Sequence, residues 1–140
     1  PWAAVVIGAV AAILAIEAVY FIDRRGIDDP VGAIAVHGVC GSFGVLAVGL
    51  FANGVYGGGW NGAVDDAGDA IAVKGLFYGE AGQLGAQALG LLVIWTVILG
   101  IAYAFFYTQN KLTKGGIRIP ADIEIEGADV PEMGVAAYND

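Results

Sequence analysis

PVGAIAVHGVCGSFGVLAVGLFA, residues 30–52, contains no Asp, Glu, Lys or Arg and carries the chain's single histidine, His37. A helix that crosses a bilayer needs about 20 mostly apolar residues, so this run predicts a membrane span. Asp28-Asp29-Pro30 in front of it has the composition of a helix start, with carboxylates favoured by the helix dipole and proline tolerated in the first turn. Asn53-Gly54 and the glycines of residues 57–59 end it.

Two further stretches flank this one. Residues 2–24 carry one internal acid, Glu17, and end at Asp23-Arg24-Arg25; residues 81–110 carry no formal charge and close with Lys111 and Lys114. The composition agrees with three spans. The hydrophobic set makes up 58% of the chain, and 23 glycines lift the apolar share to roughly three quarters, while charged residues are only 14%; soluble domains sit near 45–50% and about 25%. One cysteine excludes an intrachain disulfide framework, and 6 basic against 14 acidic residues, a net charge of −8, argue against nucleic-acid binding.

Arg24, Arg25, Lys111, Lys114 and Arg118 lie at the ends of the first and third spans, which face the same side. The positive-inside rule assigns that side to the cytoplasm and leaves the loop of residues 53–80 external. Residues 115–140, GGIRIPADIEIEGADVPEMGVAAYND, are polar and rich in glycine and proline. They form a cytoplasmic tail below a membrane part of residues 1–114. The opening at Pro1, without Met or a basic flank, predicts a piece of a longer polypeptide.

His37 is the most informative side chain. Ala33 lies one α-helical turn before it, Cys40 and Gly41 one turn after, so its face is bare of bulk. Two readings stand at this point: a histidine bonded across a close helix contact, or an imidazole lining a narrow conduit and offering a donor and an acceptor to what passes. Glu17 reads as a boundary residue near Arg24 rather than a functional acid. Cys40 reads as small packing, because two ligands one turn apart do not close a metal site. Trp2, Tyr20, Tyr56, Trp60 and Tyr107 suit interfacial belts, and Trp95 reads as packing in mid-span. No nucleophilic triad or phosphate loop can be assembled, so the chain reads as no enzyme and calls for no cofactor.

Val36-His-Gly-Val-Cys-Gly-Ser-Phe-Gly44, preceded by Asp28-Asp29-Pro30, which starts eight residues ahead of Val36, strongly resembles the ammonium transporter family, the Amt and Mep proteins. Gly116-Ile-Arg-Ile-Pro120, Glu126-Gly-Ala-Asp129 and Gly134-Val-Ala-Ala-Tyr138 resemble that family's cytoplasmic ending. The resemblance implies an all-α membrane fold, with this chain as the last three spans of a bundle of about eleven plus the tail. It further implies a homotrimer in the plasma membrane, each protomer with its own pore, in which ammonium is deprotonated at the entrance and ammonia passes a pair of histidines. His37 matches the second of that pair, and Ala33 falls at a pore-wall position. Gly127, Asp129 and Gly134 match the tail pattern, which implies a PII-type nitrogen-signalling partner; Glu132-Met133 departs from it, where several relatives carry polar residues. The competing function is an ammonium sensor built on the same membrane module with little flux, and a third is a structural subunit.

Overall fold

The computed structural model describes residues 2–59 and 64–137. They fall into two compact units, Pro1–Ile94 and Trp95–Asp140. Among the described residues the structure is helical, with two isolated β-bridges and no longer strand. Three helical stretches among the described residues are long and apolar enough to cross a membrane: Trp2–Arg24, Ile34–Phe51 and Gly82–Leu112. Trp60 and Tyr138 lie outside the described residues.

In the first unit, α1 (Trp2–Arg24) runs to its charged end, where the Arg25 guanidinium lies over the Phe21 ring at 4.7 Å. The chain then turns and returns antiparallel through a π-helical segment, Ile34–Cys40, that continues into α2 (Gly41–Phe51). The whole run of residues 30–52 reads as a helix by periodicity, yet helical structure starts only at its fourth residue. Pro30 and Val31 belong to a turn closed by the Gly32 N–H donating to the Asp29 carbonyl (3.0 Å), with Gly32 at φ 66°.

Small residues make the helical hairpin. Ala35 is fully buried and Ala47 nearly so, and the Cys40 thiol donates to the Ala11 carbonyl on α1 at 3.2 Å. Short side chains let two backbones approach closely, which in a membrane replaces the hydrophobic driving force with dispersion contact. Gly49 extends the same logic to the start of α3 (Gly82–Leu112), where a Cβ would stand 2.5 Å from the Leu84 Cα.

The loop between α2 and α3 is folded. Asn53 and Lys74 bridge antiparallel, Gly54 N–H donates to Val73 O (3.0 Å) and Gly75 N–H to Ala52 O (2.7 Å). The Asp65 carboxylate accepts from the N–H groups of Ala67 and Asp69 at 2.9 Å, a local turn of the kind short acids favour. Phe51 and Phe77 meet edge to face at 5.1 Å, and Lys74 pairs with Glu80 at 3.5 Å.

In the second unit the last turns of α3 carry Tyr103 stacked on Tyr107, with the Lys111 ammonium 5.2 Å from the Tyr107 ring centroid. After Leu112 the Asn110 side-chain oxygen accepts from Ile117 N–H at 2.9 Å and folds the chain back. A short helix, α4 (Ala121–Glu126), and a second π-helical turn, Asp129–Met133, follow. No described residue of α3 is buried, and α1 buries only Ile22. Leaving a Leu or Ile side chain in water instead of an apolar environment forfeits about 1.5–3 kcal/mol. The bare columns of α1 and α3 are therefore surfaces for lipid or for other helices.

Candidate functional site

His37 lies in the middle of the π-helical segment, and its side chain is exposed. Ala35, two residues earlier, is buried; two positions are ~200° apart around a helix, so the imidazole leaves on the side away from the buried contact. Ala33 is exposed and stands immediately before the π segment in helical backbone (φ −62°, ψ −41°). Four positions apart, Ala33 and His37 share one side. Cys40 faces elsewhere, bonded to Ala11, and acts in packing. Glu17 is exposed on α1, and Trp95 is 40% exposed on α3.

Two features here lie beyond what residue pattern shows. The first is the π turn itself: wider i→i+5 bonding interrupts α-helices mostly as single turns and frequently at functional sites. The second is Asp29. Its carboxylate accepts from Ile34 N–H through both oxygens (3.2 and 3.0 Å) and from Ala35 N–H (3.3 Å). These are donors of the kind a helix start leaves without intrahelical partners. Asp28-Asp29-Pro30 marks a helix start in the sequence, but the reach over five and six residues depends on the Gly32 turn.

The tail residues form a second constellation, within the second unit. The Asp129 carboxylate accepts from Ala137 N–H at 2.8 Å and closes a loop over the π turn. That bond, then one from Val130 N–H, holds its carboxyl below the ordinary value of 3.8, against a smaller opposing effect of desolvation. Gly127 (φ 109°, ψ 129°) and Gly134 (φ 73°) take backbone conformations that L side chains rarely adopt. Gly127 also leaves room for the acid, since a Cβ there would lie 3.2 Å from Asp129 Oδ1. Gly127, Asp129 and Gly134 are thus parts of one loop. Glu132, on the same turn, lines an open cleft of about 360 Å³ with residues 114–120, and Arg118 of that lining pairs with Glu124 at 3.6 Å.

The model of the Ammonium Transporter Family matches residues 1–138. The chain belongs to the ammonium transporter family. Among its curated relatives, ammonium transporter Amt2 of Archaeoglobus fulgidus is 36% identical over 138 residues, covering 99% of this chain and 28% of the relative. Ammonium transporter 1 member 1 of Solanum lycopersicum is 34% identical over 141 residues, covering 99% and 27%. Ammonium transporter 1 member 2 of Arabidopsis thaliana is 36% identical over 146 residues, covering 100% and 26%. The chain thus spans little more than a quarter of the length of these family members. No solved structure matches it significantly.

Proposed function

We propose that the full-length protein moves ammonium or ammonia across the plasma membrane, and that this chain supplies the last three spans and the cytoplasmic tail of an eleven-helix pore. Family membership across the whole chain carries the reading. His37 supports it: the chain's only imidazole stands in an apolar span, exposed on a face of small residues, where its ring nitrogens can hydrogen-bond a passing molecule. Arg24, Arg25, Lys111 and Lys114 at the ends of α1 and α3 support a cytoplasmic C-terminus.

The physics of such a pore is a filter by desolvation. Apolar walls impose a heavy cost on a cation and a small one on neutral ammonia, so ammonium is deprotonated at the entrance while potassium, which has no proton to shed, is excluded. His37 and a second histidine outside this chain receive the ammonia in turn, with Ala33 as pore wall. The protein is a transporter and not an enzyme, assembled as a homotrimer with one pore per protomer. The tail loop of Gly127, Asp129 and Gly134 presents a surface to a PII-type signalling protein. Capture of that protein by the full-length chain, lost on deletion of residues 115–140, is the expected result, and equal capture without the tail would remove the assignment.

The transport reading is tested by ammonium-evoked current in proteoliposomes. Wild type carries current, and His37→Ala at matched density loses it or loses discrimination against potassium. A folded, ammonium-binding wild type without current would instead indicate a sensor.

A further inference from the structure

We infer that Asp29 is a positioning residue for His37: its carboxylate fixes the start of the π-helical segment and so sets the direction in which the imidazole leaves the helix. The inference rests on the pore role of His37 proposed above. The geometry ties the segment down at both ends. At its start, the half-buried Asp29 accepts three hydrogen bonds from two successive N–H groups, those of Ile34 and Ala35, while its own carbonyl accepts from Gly32 N–H at 3.0 Å. At its end, the Cys40 thiol is held on the Ala11 carbonyl, and Ser42 Oγ donates to the Gly38 carbonyl at 2.6 Å. His37 sits midway between these anchors.

A π turn holds one more residue than an α turn. Relaxing it to α shifts the helical phase on one side of the change by up to ~100°. The Cys40 end is fixed by packing on α1, so the phase is free to slip only at the Asp29 end. The Ile34 N–H is exposed, but Ala35 is fully buried, so of the two N–H groups the second has no ready water to turn to without the carboxylate. The acceptor that holds them in this register is Asp29, and a slip would turn His37 off its present face.

The test uses the full-length protein in proteoliposomes, with Asp29→Ala, Asp29→Asn, Asp29→Glu and His37→Ala at matched density. Maximal ammonium flux, the half-saturating ammonium concentration and discrimination against potassium are read for each. Asp29→Ala is expected to lower maximal flux about tenfold and to weaken discrimination, with little change in half-saturation. Asp29→Asn keeps an acceptor oxygen in place without the charge; Asp29→Glu keeps the charge but displaces the oxygens by a methylene. The asparagine is expected to retain more flux and selectivity than the glutamate, an order that a role for charge alone would reverse. The reversed order, or wild-type flux and selectivity in these variants, overturns the inference, and the Asn and Glu pair decides it even where Asp29→Ala fails to insert. If His37→Ala transports like wild type, the pore reading fails as well; if His37→Ala is impaired while the Asp29 variants are not, only the positioning role fails.

Discussion

The described residues contain two π-helical turns, Ile34–Cys40 in the second span and Asp129–Met133 in the tail, and each is secured by an aspartate and a glycine of positive φ. Asp29 stands ahead of its turn and receives the N–H groups that open it; Asp129 opens its own turn and reaches forward to Ala137. Their donors differ more than their geometry. Both carboxylates are half-buried, but one donor to Asp29 is the N–H of fully buried Ala35, whereas the donor to Asp129 from across its loop belongs to exposed Ala137. The same hydrogen bond counts for more where water cannot replace it. The span turn is therefore the firmer hold, on the segment that carries His37, and the tail turn shapes a surface loop.

Perturbations of the two turns and of the packing beside them test this contrast, in descending order of expected effect. Asp29→Ala removes the acceptor from the span turn; beyond the flux loss above, a lost cap costs about 0.5–2 kcal/mol, and faster amide exchange at Ile34 and Ala35 would register it. Gly49→Ala probes packing in place of the clamp. Its Cβ would collide with the Leu84 backbone, and overpacking of this kind costs about 1–3 kcal/mol, visible as a lower melting temperature in detergent.

Gly127→Ala and Gly134→Ala strain the tail loop by about 1 kcal/mol each. They should reduce amide protection at Ala137 and capture of a PII-type protein while leaving the melting temperature of the membrane part unchanged. The smallest effect is that of pH on Asp129. Its folded pKa is depressed, so its contribution is complete above the ordinary value of 3.8 and is lost only as pH falls through the lower folded value. Amide protection at Ala137, corrected for intrinsic exchange, should stay constant from neutral pH down to the carboxylate range; a loss already near neutrality would contradict the clamp.

The contrast also separates what residue pattern could show from what it could not. Span ends were readable where charge meets an apolar run, as at Asp23-Arg24-Arg25, because hydrocarbon excludes charge irrespective of backbone detail. Cys40 was readable as small packing, because it lacks the further ligands a metal site needs, and the Ala11 contact is the form that packing takes. The π turn was not, since one residue of extra winding leaves hydrophobic periodicity almost intact over seven residues. The late start of the second helix follows from the positive φ of Gly32, which one glycine among 23 does not announce. Gly127, Asp129 and Gly134 were singled out by family likeness, and the loop supplies the physical reason those residue types occur there.

The most direct measurement is the ammonium-evoked current of the full-length protein in proteoliposomes, wild type beside His37→Ala at equal density, with potassium as the competing ion. A wild-type current that the substitution abolishes or makes permeable to potassium is the predicted result. Identical current and selectivity in the two proteins would contradict a pore that passes His37.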